Sequence, residues 1–164
     1  MKLFFYFLLI LIFQNSFAQK DSLQIEINEQ VWKPFIKAFN QADTDAFMAV
    51  HSKELHRVLQ DSKVIQSYAD YYLSNKRGDE RAKQNNRKRN LELRFTQRIA
   101  SKGRAFEVGY FKTSSISTDG KMHHFYGKFH VLLRKEAGKW MILMDADASE
   151  KTDETIFDAA ATME

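Results

Sequence analysis

The chain has 164 residues, of which 28% are charged, and it contains no Cys, one Pro and 14 Phe. This length fits one domain, and the 44% hydrophobic content with low Gly and Pro use excludes collagen-like, low-complexity and wholly disordered chains. The absence of Cys excludes a disulfide scaffold, a zinc ribbon, a cysteine nucleophile and a lipidated N-terminal cysteine.

Residues 1–18 have the features of a secretory signal. Lys2 is followed by an unbroken apolar stretch over residues 3–13, and Ser16 and Ala18 place small residues at a cleavage site. At ~1.5 Å per residue, this stretch covers about half of a ~30 Å hydrocarbon core, which argues against a transmembrane helix. We expect export to a bacterial periplasm or the extracellular space, with no stable membrane anchor after processing. The alternative is a short buried N-terminal helix.

Charge is sorted along the mature chain, whose total after loss of the leader is +3. Residues 76–104 sum to +8, whereas residues 145–164 sum to −6. The basic stretch has three interpretations: a solvated lid, a contact with anionic envelope material, or an internal complement to the acidic C-terminal tail at 150–164. Nucleic acid is not expected as a partner, because residues 74–90 contain no aromatic ring to stack on a base.

Three helical segments are predicted first. Residues 24–40 carry Trp32, Phe35, Ile36 and Phe39 at helical spacing, and Pro34 marks either the first turn of this helix or a kink. Asp43 is expected to cap a second, short helix.

A third helix is predicted to start at a cap on Asp61 or Ser62 and to carry Val64, Ile65, Tyr68, Tyr72 and Leu73 on one face. The polar, basic residues 74–90 cannot bury a face, so they form either a mobile loop or a solvated extension of that helix.

Four strands follow, at residues 91–99, 105–117, 123–135 and 140–147. The first three carry apolar residues at alternate positions, and the last is an apolar run that ends at Asp145 and Asp147. Thr118-Asp119-Gly120-Lys121 and Glu136-Ala137-Gly138-Lys139 are expected hairpin turns. A short helix is expected around Ile156 and Phe157. Helices followed by consecutive hairpins indicate an α+β fold with an antiparallel sheet.

The chain resembles the nuclear transport factor 2-like superfamily, within it the SnoaL-like and ketosteroid-isomerase-like groups. The resemblance covers about residues 24–149 and rests on three pieces. They are the opening helix Trp32–Phe39 with Asp43, Asp45 and Phe47; residues 50–55 and 65–68; and the segment from Tyr126-Gly127-Lys128-Phe129 through Gly138-Lys139-Trp140 to Asp147-Ala148-Ser149. It implies a domain over residues 19–149: a cone-shaped roll of N-terminal helices on a strongly curved antiparallel sheet, often a homodimer through the sheet. The cone usually holds a pocket, and fold alone does not assign a function to it.

The expected pocket wall is aromatic. Its candidate residues are Trp32, Phe35, Ile36, Phe39, Tyr68, Tyr72, Phe106, Tyr110, Phe125 and Phe129. Tyrosines matter most among them, because a buried hydroxyl needs a partner and can orient a ligand.

Asp145 and Asp147 are the candidate catalytic acids. Alternate strand positions put them on one face, about 6.8 Å apart, and burial behind an apolar run would raise their pKa values toward those of a general base. The pair could also bind a divalent cation. The competing interpretation is a solvated strand end, or pairing with Arg94, Arg98 or Arg104.

The sequence offers little support for isomerase, metal-dependent or nucleophilic chemistry. The base that the resemblance implies for an isomerase falls near Leu59 to Asp61, where Asp61 fits an N-cap better. The corresponding oxyanion-hole acid falls at Phe129 or His130, neither of which is a carboxylic acid. The five histidines show no metal-ligand spacing, and we expect no metal or cofactor. His130, with Lys128 and Tyr126 on the less apolar face of its strand, is a candidate for a dimer surface. No nucleophile elbow and no Gly-rich phosphate loop occur.

The sequence therefore predicts an exported domain that binds a small apolar ligand in its cone without catalysis. The alternative is an acid–base enzyme (an isomerase, cyclase or dehydratase of polyketide- or steroid-like substrates) that uses Asp145 or Asp147 and a tyrosine.

Overall fold

The computed structural model describes residues 22–116, 120–149 and 151–163. The predicted leader and the Thr118-Asp119 part of one predicted turn lie outside these ranges. Within them, the chain runs from an N-terminal helical region through a short hairpin and a long helix to four long strands.

The N-terminal helical region contains a π-helical turn next to its proline. Residues 22–27 are α-helical, Asn28–Trp32 form the π turn, and Lys33–Gln41 form helix α1. The backbone N–H of Lys33 donates to the carbonyl of Asn28, five residues earlier. Pro34 lies in the first turn of α1, as the first of the two predicted alternatives has it. The helix does not begin there, however, because Trp32 and Lys33 before the proline are also helical and belong to the π turn and its end.

Helix α2, Thr44–Met48, begins where the sequence predicted. The side chain of Asp43 accepts a hydrogen bond from the backbone N–H of Ala46, which confirms Asp43 as the N-cap.

The predicted start of the third helix at Asp61 or Ser62 was wrong. Val64–Gln66 instead form strand β2, which pairs as an antiparallel hairpin with strand β1, His51–Leu59, a strand that the sequence did not predict. Asp61 caps no helix; its carboxylate accepts from the backbone N–H and hydroxyl of Ser149.

Helix α3, Tyr68–Gln84, starts later than predicted and extends further. Ser67 and Asp70 form a reciprocal capping box that fixes its first turn. The helix then continues into the basic stretch, which confirms the helix-extension alternative as far as Gln84. Asp79 and Ala82 are buried on this extension, so the basic stretch is anchored rather than fully solvated.

The four predicted strands are confirmed as β3 (Arg89–Ser101), β4 (Arg104–Ile116), β5 (Met122–Glu136) and β6 (Lys139–Ala148). The sheet order is β2-β1-β6-β5-β4-β3. β1 pairs with β6 in parallel and all other pairs are antiparallel, so the sheet is mixed and the antiparallel prediction missed one pairing. Register shifts leave one extra residue on β3, Thr96, opposite β4, and one on β6, Leu143, opposite β5. These are bulges of the kind that bend a sheet.

The core lies between the helices and one face of this open sheet. Its largest fully buried side chains include Trp140, Ile27, Met48 and Leu133. Within the described ranges, no helix has the length and apolar character needed to cross a bilayer.

The C-terminal segment folds back over the other face of the sheet. The predicted short helix is confirmed as α4, Glu154–Asp158, and its buried Phe157 packs on Tyr126 of β5. Further on, Ala161 forms a two-way backbone bridge with Phe95 of β3. Dimerisation through the sheet stays a prediction, and α4 occupies part of the face that it would use.

Candidate functional site

A cavity of about 140 Å³ lies between the helices and the concave face of the sheet. Its wall is mostly aromatic, formed chiefly by Trp32, Phe35, Phe39, Phe47, Phe111 and Phe129. The rings contact one another at their edges or in tilted arrangements, for example Phe35 on Phe47 at 4.5 Å and Trp32 on Phe129 at 5.7 Å between centroids. These are favourable aromatic geometries, so the wall is packed and not merely hydrophobic.

Two glycines make room for this wall. A Cβ on Gly127 would overlap the ring of Phe111, and one on Gly109 would lie 2.6 Å from the ring of Phe129. Gly127 pairs with Phe111 across β4 and β5, and Gly109 pairs with Phe129, so each ring lies over the glycine of the opposite strand. Both rings depend on the absence of a side chain at their partner position.

The cavity ends at a buried arginine between two carboxylates. Arg57 of β1 lies opposite Asp145 in the parallel β1–β6 register, and Asp147 is two residues further along β6. Nη1 of Arg57 lies 3.2 Å from Oδ1 of Asp145 and also donates to its backbone carbonyl at 3.2 Å. Nη2 of Arg57 donates to Oδ2 of Asp147.

One guanidinium does not balance the buried carboxylate of Asp145 and the partly buried carboxylate of Asp147. Burial raises the pKa of Asp145 above its ordinary value of 3.8, and Arg57 opposes that rise only in part. Burial also raises the pKa of Asp147, with a further upward contribution from Asp145. The pair therefore holds a proton more readily than ordinary aspartates do, which makes it a candidate proton donor and acceptor.

Tyr71 and Asn75 of α3 complete the polar end of the cavity. The guanidinium carbon of Arg57 lies 5.2 Å from the centroid of the Tyr71 ring. Burial raises the pKa of Tyr71, so its hydroxyl stays protonated at physiological pH.

His51 is buried beside this end but does not line the cavity. Its Nδ1 donates to the carbonyl of Phe47 at 3.0 Å, because a carbonyl can only accept, and its Nε2 has no hydrogen-bond partner among the described residues. Burial lowers the pKa of His51 to about 3, so the ring is neutral at physiological pH.

A second buried charge network lies away from the cavity. Glu107, fully buried on β4, accepts from Nε of Arg98 at 2.9 Å and from Nε1 of Trp32. Arg98 also donates to the side-chain oxygen of Asn28 at 2.6 Å and to the carbonyl of Met163 at 3.2 Å. This network connects the N-terminal helical region, the sheet and the C-terminal segment.

Both candidate acids and four of the candidate pocket residues come together in the cavity. The acids are Asp145 and Asp147, and the four others are Trp32, Phe35, Phe39 and Phe129. The interpretation of the acids as ion-paired was right in kind, but their partner is Arg57. Two of the arginines considered from the sequence are engaged elsewhere: Arg94 with Asp158, and Arg98 with Glu107.

The other candidate pocket residues lie off the cavity. Phe106 and Tyr110 belong to the face of β4 opposite Phe111, since side chains alternate along a strand. Phe125 is on the concave face but is 53% exposed and contacts Phe111 from outside the cavity. Ile36 of α1 does not line it, whereas Tyr68 and Tyr72 of α3 line a separate shallow groove with Lys53.

Sequence reasoning missed Arg57, Tyr71 and the cavity residues Phe47 and Phe111. Arg57 lies between Leu55 and Leu59 on one face of β1, and this alternation was the available signal. It was weak because a buried arginine and the buried His51 interrupt the apolar face. Among the described residues, no group of three or more His, Asp or Glu is placed to hold a metal ion.

Comparison with known proteins defines the class of fold. No protein-family model matches the chain, and no curated protein matches it. Solved structures do match. An NTF-2 like protein of unknown function from Shewanella oneidensis MR-1 is 19% identical, with a TM-score of 0.59, over 77% of this chain and 98% of that one. The protein Aln2 from a Streptomyces species is 12% identical, with a TM-score of 0.66, over 79% and 91%.

A ketosteroid isomerase-like protein from Erwinia carotovora atroseptica is 15% identical, with a TM-score of 0.57, over 77% of this chain and 95% of that one. The shared architecture is an α+β roll whose N-terminal helices cover one face of a bent sheet. The chain has the nuclear transport factor 2-like fold, as the resemblance predicted. At sequence identities of 12–19% the similarity establishes the fold alone, so the function has to be argued from the residues of the site.

Proposed function

We propose that the protein binds a small, mainly apolar molecule of about one ring in its cavity. The observation that carries this proposal is an aromatic-walled cavity that ends at the buried Arg57 and Asp145 and the partly buried Asp147. Its volume of about 140 Å³ is close to the ~150 Å³ of an engineered cavity that binds benzene. It is smaller than the ~300–1,000 Å³ of sites for drug-sized ligands, so a steroid-sized molecule would extend outside it.

The polar end gives the ligand an orientation. A hydroxyl or carbonyl group at this end would meet groups able to donate and accept hydrogen bonds, whereas the rest of the wall offers only apolar contact. We therefore expect phenol and cyclohexanone to bind more tightly than toluene. Isothermal titration and chemical-shift mapping on the purified protein would measure the three affinities and locate the bound ring.

A cavity-filling variant tests the location. Leu93→Phe adds volume at the wall and is expected to abolish binding of all three probes. Leu132→Phe makes the same change on the opposite face of the sheet and should leave binding intact. Unchanged binding in Leu93→Phe, with both variants folded, would refute the proposed site.

Acid–base catalysis is a second candidate, favoured by the two carboxyls of raised pKa that line the cavity. A carboxylate here could take a proton from a carbon next to a ring carbonyl and return it to another carbon. Deuterium exchange into cyclohexanone, followed by NMR, tests this. Catalysis predicts exchange that Asp147→Asn abolishes while binding persists; equal exchange with and without protein would leave binding as the sole function.

We also propose that the protein is exported, on the evidence of the apolar stretch and small residues in residues 1–18. Mass spectrometry of the protein from its native host would show a mature chain that begins at Gln19. A full-length chain with Met1 would contradict this proposal.

A further inference from the structure

A second cleft, of about 340 Å³, opens between the C-terminal half of α3 and strand β4. Its lining combines three arginines, Arg81, Arg87 and Arg89, with the hydroxyl-bearing Ser114 and Ser115. None of the described residues that line it is acidic. The cleft is therefore rich in hydrogen-bond donors and carries positive charge.

The cleft and the aromatic cavity are neighbours with a common wall. Phe39 and Thr113 line both of them. Along β4, Phe111 and Thr113 line the cavity, and Ser115, about 6.8 Å beyond Thr113, lines the cleft. The cavity and the cleft are therefore adjacent along β4.

The three arginines differ in how far their charges are already balanced. Arg89 is committed: its Nε donates to the carbonyl of Phe39 at 2.6 Å, its Nη2 pairs with buried Asp79 at 2.6 Å, and its guanidinium lies 4.1 Å from the centroid of the Phe39 ring. Among the described residues, the guanidinium of Arg87 donates only to the hydroxyl of Ser115, at 2.9 Å. Within the described ranges, no carboxylate pairs with Arg81 or Arg87.

Two backbone carbonyls at the C-terminal end of α3, which lies beside the cleft, are already hydrogen-bonded and so do not repel an anion there as unpaired carbonyls would. The carbonyl of Arg81 accepts from the backbone N–H of Asn85 at 3.2 Å, and that of Ala82 accepts from the N–H of Arg87 at 2.8 Å. These bonds satisfy groups that would otherwise present negative partial charge at a helix C-terminus. The charge excess from Arg81 and Arg87 is therefore available to a ligand.

We infer that the ligand is an amphipathic acid, with its ring in the aromatic cavity and a carboxylate or phosphate held in the cleft by Arg81 and Arg87. The inference rests on the proposed binding function and adds the chemical class of the ligand. Arginine suits this role because its planar donors match the oxygens of both anions.

Four related probes distinguish the contribution of an anionic arm to binding from that of the ring. 3-Phenylpropionate and phenethyl phosphate carry an oxyanion on a short arm, 3-phenylpropionamide carries a neutral arm of similar shape, and toluene has no arm. We expect either anion to bind the wild-type protein at least about tenfold more tightly than the amide, as a charge-assisted hydrogen bond allows. The preference should weaken at high salt. The tighter of the two anions identifies the oxyanion.

Two double variants remove equal charge from the same region. Arg81→Gln with Arg87→Gln should abolish the preference for the anion and leave toluene binding unchanged. Lys76→Gln with Arg77→Gln, on the exposed part of α3 outside the cleft, should keep the preference.

Failure of the inference and failure of the proposed function give different results. If toluene binds but neither anion is preferred, or the preference survives in the Arg81/Arg87 variant, the amphipathic acid is refuted and ring binding stands. If neither toluene nor any armed probe binds, the proposed function is refuted as well.

Discussion

Arg57 and Arg98 each pair with a buried carboxylate, and their surroundings differ. Arg98 faces one carboxylate, Glu107, and its remaining donors reach protein oxygens in the N-terminal and C-terminal segments. Arg57 faces two carboxylates at the end of a cavity. The first group is balanced in charge and closed to ligands, which is typical of a structural network. The second has an excess acid and an adjoining cavity, which is typical of a site.

The comparison predicts opposite outcomes for the same acid-to-amide change. The largest effect is expected for Glu107→Gln, which leaves Arg98 buried without its counter-ion and is expected to lower the free energy of unfolding by about 3–5 kcal/mol. Urea denaturation would measure it. Glu92→Gln removes the acid of the partly exposed pair with Lys112 and serves as a control with an expected loss under about 0.5 kcal/mol. If Glu107→Gln lowers the free energy of unfolding by less than about 1 kcal/mol, the interpretation of Arg98 and Glu107 as a structural network is wrong.

Gly127→Ala tests the cavity wall. The new Cβ meets the Phe111 ring, so the ring must move, with an expected cost of about 1–3 kcal/mol and weaker ring binding. Gly78→Ala is the matched control, because nothing lies within 4 Å of its Cβ in helix α3 and alanine favours a helix by about 0.5–1 kcal/mol. If Gly127→Ala is as well tolerated as Gly78→Ala, the wall is not tightly packed.

His51 should produce a stability loss in acid. Its folded pKa of about 3 lies below the unfolded value of 6.5, so the unfolded chain takes up a proton first as the pH falls. Its contribution is present above pH 6.5 and falls by about 2 kcal/mol between pH 6.5 and 5. To isolate this contribution, the free energy of unfolding is measured between pH 6.5 and 5 for the wild type and for His51→Gln, and the second value is subtracted from the first. A pH-independent difference would contradict a neutral, buried ring.

Asp145→Asn should have the smallest effect, and of the opposite sign. A raised folded pKa means that the folded state keeps a proton that the unfolded chain loses above about 3.8, so stability from this group is lost as the pH rises. The variant leaves Arg57 paired with Asp147 alone. At pH ~8 we expect it to match the wild type or exceed it by up to about 1 kcal/mol. If urea denaturation showed that the variant loses more than about 2 kcal/mol of unfolding free energy, Asp145 would stabilise the fold as Glu107 does, and the contrast between the two networks would be wrong.

The confirmed predictions share a local physical cause. Strands β3 to β5 were predicted because apolar residues alternate along each of them, and β6 because an apolar run follows a predicted turn. The Asp43 cap was predicted because its side chain bonds within its own turn. The start of α3 was misplaced because Val64 and Ile65, interpreted as part of a helical face, belong to the exposed edge strand β2. A capping box at Ser67 was present in the sequence and marked the correct boundary.

The amino-acid sequence alone determined the α+β class and the four long strands, because each depends on patterning within one segment. The cavity was expected from the family resemblance, and four of the ten residues predicted for its wall line it. The sequence also singled out Asp145 and Asp147. Only the tertiary structure placed Arg57 between those acids, since the parallel pairing of β1 and β6 joins residues 88 positions apart. The excess acid, and with it the difference between a structural ion pair and a candidate site, exists only once that pairing forms.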